Sequence, residues 1–224
     1  MHIKDRIKRS FKLRFAILYP FALLPLLFSH PSDKLFFVSS IFIILGLSIR
    51  VWANGYAIKM GKLTTSGPYA YVRNPLYLGT MLIVIGFSLM LDITILSILF
   101  ILVAFFVYVN TIRKEEEMLE AKFKDSYTSY RNKVPALIFT IFPYRPGEKW
   151  PFSPRRLLES KEHKPVIWVI IFLIALYIKN QVTLKGEGLD LKLVGLILAA
   201  IFLGLIDIIG EIIKWKRKRA KAAD

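Results

Sequence analysis

The chain contains no cysteine and only three histidines among its 224 residues. The lack of cysteine excludes disulfide bonds, thiolate nucleophiles and cysteine-ligated metal sites. The histidines, His2, His30 and His163, are far apart in the sequence, and none has a neighbour at the spacing of a metal-ligand pair. The sequence therefore predicts no metal site.

Acidic residues are scarce as well. The chain has 16 Asp and Glu residues and 32 Lys and Arg residues, which gives a formal net charge of +16. At the same time, 55% of its residues are hydrophobic. Soluble domains rarely combine these properties, whereas long apolar blocks with charge between them indicate an integral membrane protein. The basic residues flank the apolar blocks and form no stripe interleaved with aromatic residues, so nucleic acid is not an expected partner.

The apolar blocks predict an all-α integral membrane protein with about six transmembrane helices. The blocks cover residues 15–29, 35–53, 76–91, 93–112, 165–180 and 191–213. Each block has, or nearly has, the roughly 20 residues that a helix needs to cross the hydrocarbon core. Only a short break around Asp92 separates the third block from the fourth, which predicts a tight helical hairpin.

The distribution of Lys and Arg predicts the orientation of the chain. These residues concentrate before the first block, in the connector 54–75, in residues 113–164 and in the C-terminal tail. With six spans, these four segments all lie on one side of the membrane. Because positive charge marks the cytoplasmic side, we expect a multi-pass protein with both termini in the cytoplasm.

Four regions follow from this pattern. Residues 1–53 form an N-terminal two-span region, and residues 54–142 form a core of loop, hairpin and cytoplasmic amphipathic helix. Residues 143–164 are rich in proline and charge and are interpreted as a cytoplasmic linker. Residues 165–224 form a C-terminal two-span hairpin with a basic tail, for which a homodimer contact is one possible role.

The stretch "SGPYAYVRNPLYLG", residues 66–79, is too specialised for a plain connector. Gly67 and Pro68 favour a turn, and Pro75 suits the first turn of the next span. Arg73 has a planar guanidinium suited to binding a carboxylate. The tyrosines that could line a pocket with polar tips are Tyr69, Tyr71 and Tyr77. The alternative is an interfacial belt of tyrosines with one arginine.

The second unusual stretch is "RKEEEMLEAKFKDSYTSYRNKVP", residues 113–135. A helical period places one stripe of side chains on a single face. The stripe consists of Ile112, Glu116, Leu119, Phe123, Tyr127, Tyr130 and Val134. A buried carboxylate at Glu116 is costly without a partner, so the sequence predicts either a cationic partner or a hydrated position at the membrane interface.

Together the two stretches resemble a known family. "GKLTTSGPYAYVRNPLYLG", a span hairpin and then "RKEEEMLEAKFKDSYTSYRNKVPALIF" are similar to the isoprenylcysteine carboxyl methyltransferases and their phospholipid methyltransferase relatives, over about residues 45–142. Two departures stand out. Asn74 occupies the place of the family's histidine before proline, and Lys124 replaces the glycine of an F-G pair, which should change a local helix contact rather than the chemistry.

The resemblance implies S-adenosyl-L-methionine as the cofactor, held between the hairpin and the following helix, and a lipophilic acceptor that enters from the bilayer. By the same resemblance, the cofactor-binding positions are Asn54, Lys62, Leu63, Thr64, Tyr69, Asn74, Pro75, Leu76, Tyr77, Glu115 and Glu116. Glu116 would stabilise the cationic cofactor, and Arg73 or Arg113 could orient an acceptor carboxylate by paired hydrogen bonds.

Methyl transfer from a sulfonium depends mainly on alignment. A carboxylate acceptor is already nucleophilic, whereas an amine must first lose a proton to a base. The sequence therefore favours carboxyl methylation of an isoprenylcysteine-like substrate over phospholipid amine N-methylation. Two further alternatives stay open: an NADPH-dependent membrane reductase of the sterol type, which has a similar segment rich in glutamate and tyrosine, and a membrane protein with no enzymatic role.

Overall fold

The computed structural model describes residues 31–58, 62–91, 93–160, 163–184, 186, 188 and 190–220. These residues form helices and no strands. The α-helices are α1 (Asp33–Tyr56), α2 (Pro75–Met90), α3 (Thr94–Phe123), α4 (Asp125–Lys133), α5 (Pro154–Glu159), α6 (His163–Lys179) and α7 (Leu191–Ala220). A 3₁₀ turn covers Gly67–Ala70 and a π-helical turn covers Asn180–Leu184. Two compact units, Met1–Ser160 and Lys161–Asp224, are described separately below.

The all-helical membrane architecture predicted from the sequence is confirmed. Three segments are long and apolar enough to cross a bilayer, namely Asp33–Tyr56, Thr94–Phe123 and Pro165–Val182. Pro75–Met90 and Leu191–Leu205 are shorter apolar helices, although both lie at predicted spans. At about 1.5 Å per residue, α2 is roughly 24 Å long, less than the thickness of a hydrocarbon core. The predicted span 15–29 lies outside the described residues, so the count of six remains a prediction.

Helices α1 and α2 pack closely because glycines face each other across the contact. A Cβ atom built on Gly79 would lie 2.6 Å from the carbonyl oxygen of Gly46, and one on Gly86 would lie 2.7 Å from that of Ser39. Small residues at such contacts let two helical backbones approach within a membrane. Arg50 of α1 adds polar contacts by donating hydrogen bonds to Thr80 Oγ1 and to the carbonyl of Leu76.

Helix α3 extends well beyond the predicted span 93–112, because the segment predicted as a separate amphipathic helix begins as its continuation. The helix ends where Lys124 adopts a φ of 46°, and the shorter α4 follows. The structure therefore divides residues 113–135 between the end of α3 and the separate helix α4, and the prediction of a single amphipathic helix is wrong. The predicted stripe nevertheless faces the interior: Glu116, Tyr127 and Val134 are buried on either side of the break.

The residues after α4 fold back onto the loop that precedes α2. Tyr144 N–H donates to the carbonyl of Ala70, and Trp150 Nε1 donates to the carbonyl of Tyr56. Lys149 Nζ donates to the carbonyl of Thr65 at 2.8 Å. Part of the predicted linker 143–164 is thus bound to the first unit, which reaches Ser160, and the four region limits stay predictions.

In the second unit, α6 and α7 contact each other. Asn180 follows α6 and is buried. The C-terminal two-span hairpin over 165–224 remains a prediction.

Candidate functional site

A buried ion pair joins the two unusual stretches of the sequence. Arg73 Nε donates to Glu116 Oε1 at 2.9 Å, and its Nη2 donates to Oε2 at 3.2 Å, so the pair is bidentate. Each side chain is only 11% exposed. The cationic partner that the buried carboxylate of Glu116 requires is therefore Arg73.

The remaining guanidinium nitrogen of Arg73 is also bound within the chain. Its Nη1 donates to the carbonyls of Arg131 and Val134 at 2.7 and 2.6 Å. These contacts tie the loop before α2 to the end of α4. All three guanidinium nitrogens of Arg73 are thus bound to groups of the chain itself. This structural role differs from its predicted role of orienting an acceptor carboxylate.

Asn74 extends this cluster. Its Nδ2 donates to Glu116 Oε1 at 3.1 Å and to the carbonyl of Ala136 at 3.3 Å. The family histidine would also present a hydrogen-bond donor here, and asparagine supplies one without a titratable group. Pro75 follows as the buried first residue of α2.

A second polar contact joins α2 to α3. The hydroxyl of Tyr77 donates to Glu115 Oε1 at 2.6 Å, and the ring of Tyr77 lies 5.5 Å from that of Tyr108. Tyr77 and Glu115 are half-buried, whereas Tyr108 is buried among apolar residues of both helices. The structure therefore brings a carboxylate and two aromatic rings together at one end of the hairpin, next to Glu116.

Tyrosines of α4 close the other side of the ion pair. Tyr127 and Tyr130 are buried with Val134 and Tyr144 in one cluster. Burial, followed by the negative charge of Glu116, raises the pKa of Tyr127 above its ordinary value. Burial also raises the pKa of Tyr130, whose hydroxyl donates to the carbonyl of Tyr69 at 2.6 Å. Both hydroxyls are therefore protonated at neutral pH.

Several predicted positions lie near this cluster. Leu63 packs against the tyrosine cluster. Tyr69 accepts the bond from Tyr130 through its backbone, and the carbonyl of Leu76 accepts from Arg50. The Thr64 hydroxyl accepts from the backbone N–H of Ile58 at 3.3 Å.

Three predicted positions lie apart from the cluster. Asn54 is buried in α1, where its amide donates to the carbonyl of Arg50. Lys62 forms an exposed salt bridge with Glu148. Arg113 is exposed on α3, and no hydrogen bond among the described residues links it to Arg73 or Glu116.

Sequence reasoning missed several groups that hold the site together. The carbonyls of Arg131, Val134 and Ala136 bind Arg73 and Asn74, and Tyr108 contacts Tyr77. Backbone acceptors give no signal in the sequence. Tyr108 falls eight residues before Glu116, on the same helical face, and this spacing could have identified it.

The comparisons with known proteins give a family match over part of the chain and two partial relatives. Residues 34–126 match the model of the phospholipid methyltransferase family. The chain is 40% identical over 74 residues to the protein-S-isoprenylcysteine O-methyltransferase of Schizosaccharomyces pombe, covering 33% of this chain and 31% of the relative. It is 29% identical over 143 residues to the cobalt-zinc-cadmium resistance protein CzcN of Cupriavidus metallidurans, covering 60% of this chain and 66% of the relative.

The chain thus spans less than two thirds of the length of either relative. No solved structure is significantly similar to it. The matched residues 34–126 include the loop before α2, the hairpin and the three adjacent glutamates, so the resemblance predicted from these motifs is confirmed. Over residues 34–126 the chain is therefore similar to the phospholipid methyltransferase family, and over 74 residues it is similar to an isoprenylcysteine O-methyltransferase.

Proposed function

We propose that this protein is an S-adenosyl-L-methionine-dependent methyltransferase that methylates a carboxylate of a lipophilic acceptor. The observation that carries the proposal is the contact between Tyr77 and Glu115, which joins α2 and α3 at 2.6 Å beside the Glu116 ion pair. The similarity of residues 34–126 to the phospholipid methyltransferase family supports the reaction class.

The residues around this contact fit the proposed cofactor. When bound, S-adenosyl-L-methionine supplies a methyl group on a positively charged sulfonium. The carboxylate of Glu115 can attract that charge or accept hydrogen bonds from the ammonium or ribose hydroxyls. The ring of Tyr77, which is half-buried, offers a face suited to a cation. Glu116 is held by Arg73, so its role is to fix the start of α2 rather than to bind a ligand directly.

The arrangement of the carboxylates supports an acid acceptor over an amine. An amine acceptor needs a base to remove its proton. Glu115 accepts a hydrogen bond from Tyr77, and Glu116 is paired with Arg73, so both carboxylates already have partners. A carboxylate acceptor needs only alignment and exclusion of water. The isoprenylcysteine O-methyltransferase relative supports an isoprenylcysteine-like acceptor.

The proposed orientation places both termini of a multi-pass chain in the cytoplasm, with the candidate site on the same side. The basic segments that flank the apolar helices support this orientation. The acceptor would then reach the site laterally from the cytoplasmic leaflet.

The first test is isothermal titration of the detergent-solubilised protein with S-adenosylhomocysteine and, in parallel, NADPH. We expect S-adenosylhomocysteine to bind and NADPH not to bind. Glu115→Gln and Tyr77→Phe should each weaken binding about tenfold, since one charge-assisted hydrogen bond is worth about 1.5–3 kcal/mol. Glu117→Gln is the matched control, because Glu117 is an exposed neighbour of the same chemistry. Binding of NADPH alone, or equal affinity in all variants, would reject the site.

The acceptor is tested separately with S-adenosylmethionine labelled in the methyl group. A farnesylated cysteine derivative and phosphatidylethanolamine are offered in turn. Label that base treatment releases as methanol indicates a methyl ester, whereas base-stable label on the phospholipid indicates N-methylation. The second result would support phospholipid N-methylation, the alternative that agrees with the match of residues 34–126 to the phospholipid methyltransferase family.

A further inference from the structure

Residues 135–144, which we call the apolar strap, expose an unusual set of side chains. Ile138 is 75% exposed, Ile141 82% and Phe142 76%, and Phe139 is also exposed. The strap is not a transmembrane helix, because its backbone has no regular secondary structure. Four large apolar side chains within five residues are costly to leave in water.

Backbone hydrogen bonds fix the position of the strap beside the start of α2. The N–H groups of Arg73 and Asn74 donate to the carbonyls of Pro135 and Ala136 at 2.9 and 3.1 Å. Further along, Thr140 N–H donates to the carbonyl of Tyr71 at 2.9 Å. The strap therefore lies alongside residues 70–74, at the level where the apolar helix α2 begins.

The charges around the strap complement an anionic lipid surface. Lys133 precedes the strap and Arg145 follows it, both with exposed side chains. Arg131 is instead paired with Glu120, and the ammonium of Lys149 donates to the carbonyls of Thr65 and Tyr144. The sequence has no Asp or Glu between residues 126 and 147. Glu148, the first acidic residue afterwards, pairs with Lys62. Apolar and aromatic side chains between basic flanks are typical of segments that lie in a membrane interface.

An open depression lies at the C-terminal end of the strap. Its lining includes Trp52, Tyr71, Arg145 and Lys149. Trp52 belongs to α1 and is exposed, as expected for tryptophan at a membrane interface. The depression thus offers aromatic rings and the guanidinium of Arg145 to a lipid headgroup, next to side chains that suit its acyl chains.

We propose that the apolar strap inserts into the lipid leaflet adjoining the candidate site, with its basic flanks on anionic headgroups. The insertion would hold Arg73 and Asn74 at a fixed depth, because their backbone is bonded to the strap. The proposal does not depend on methyltransferase activity. It concerns lipid contact at residues outside every candidate membrane span.

Because the chain has no cysteine, single-cysteine variants can be labelled cleanly in the full-length protein. Ile141→Cys and Ile138→Cys carry an environment-sensitive fluorophore in nanodiscs of phosphatidylcholine, with and without phosphatidylglycerol. Ser129→Cys, at an exposed position on α4, is the control. The two quenchers are a nitroxide on the lipid acyl chain and an aqueous paramagnetic ion.

We expect the lipid nitroxide to quench the strap labels about threefold more than the Ser129 label, and the aqueous ion to show the opposite order. Phosphatidylglycerol should increase the lipid quenching, and Arg145→Gln should reduce that increase. Aqueous quenching equal to that at Ser129 would overturn insertion. Protection from both quenchers would also overturn it, because protein would then cover the strap. No response to phosphatidylglycerol would overturn the headgroup contact.

Discussion

Arg73 and Glu116 form a bidentate ion pair across 43 residues of sequence, and both side chains are almost fully buried. Arg73 lies in the loop before α2, and Glu116 lies where α3 leaves the apolar region. The pair therefore fixes the relative position of the two unusual sequence stretches, residues 66–79 and 113–135. The ion pair contributes to the geometry of the site, because its two charged groups bind each other rather than a ligand.

Removing one partner should strongly destabilise the protein. We expect Arg73→Met to lower the free energy of unfolding by about 3–5 kcal/mol, because Glu116 is then buried without a partner. The double variant Arg73→Met/Glu116→Met should lose less than the sum of the two single variants. The measurement is unfolding by sodium dodecyl sulfate in mixed micelles.

Arg131→Met provides the matched control for this experiment. Arg131 forms an ion pair of 3.0 Å with Glu120, but both side chains are more than 40% exposed. Such a pair contributes at most about 1 kcal/mol. If Arg73→Met costs no more than Arg131→Met, the buried pair does not hold the motifs together.

Alkaline pH should destabilise the tyrosine cluster. Burial and the charge of Glu116 raise the pKa of Tyr127 in the folded state, so the folded protein binds this proton more tightly than the unfolded chain. The resulting stability is fully present below the ordinary tyrosine pKa of about 10 and is lost above it, by about 1.4 kcal/mol per pH unit per tyrosine. Tyr130 contributes with the same sign.

Tyr127→Phe removes one of these two contributions. Between pH 10 and 11 the tyrosine of the unfolded chain passes from half ionised to mostly ionised. Over this interval the free energy of unfolding of the variant should fall about 1 kcal/mol less than that of the wild type. Tyr130→Phe should show the same reduction. Parallel pH profiles for wild type and both variants would contradict the raised pKa values.

The sequence could predict that Glu116 needs a partner, but not which one. Helical periodicity places Glu116 on an apolar stripe, and the cost of an unpaired buried carboxylate then requires a cation. The resemblance assigns Arg73 to the carboxylate of an acceptor and does not identify it as the partner of Glu116. Its pairing depends on how α4 folds back, and the turn at Lys124 that makes this possible is set by one unusual backbone conformation.

The contacts of residues 135–153 could not be predicted from the sequence either. They are made largely by backbone N–H and carbonyl groups, which every residue type carries. The proline and charge content of this segment predicts a linker. Amino-acid composition indicates local backbone preference, however, and does not indicate tertiary contacts. The apolar helices, by contrast, were predictable because each one has its own continuous run of hydrophobic residues.

Lys124 is held in a backbone conformation that favours glycine. Its φ of 46° and ψ of −125° separate α3 from α4. A side chain at such a position costs about 1–3 kcal/mol, which gives a physical reason for the family's glycine at this place. We expect Lys124→Gly to raise the free energy of unfolding by about 1 kcal/mol in the micelle assay.

Lys122→Gly is the control for this change. Lys122 lies in the last turn of α3, where glycine should cost about 1 kcal/mol. The two substitutions remove the same side chain two residues apart and should have opposite signs. A loss of stability in both variants would show that the Lys124 side chain outweighs its backbone strain.

The contact between Gly46 and Gly79 should be intolerant of a single methyl group. A Cβ atom on Gly79 would lie 2.6 Å from a backbone oxygen of α1, which cannot rotate away as a side chain can. We expect Gly79→Ala to lower the free energy of unfolding by about 1–3 kcal/mol. Because α2 begins with the residues that contact Glu116 and Glu115, the variant should also weaken binding of S-adenosylhomocysteine.

Gly195→Ala is the matched substitution in another apolar helix. A Cβ atom on Gly195 would meet no atom within 4 Å among the described contacts of α7. Alanine favours a helix over glycine by about 1 kcal/mol, so this variant should be as stable as the wild type or more stable. Equal stability of Gly79→Ala and Gly195→Ala would mean that α1 and α2 can separate without cost, and the close glycine contact would then not determine where the site forms.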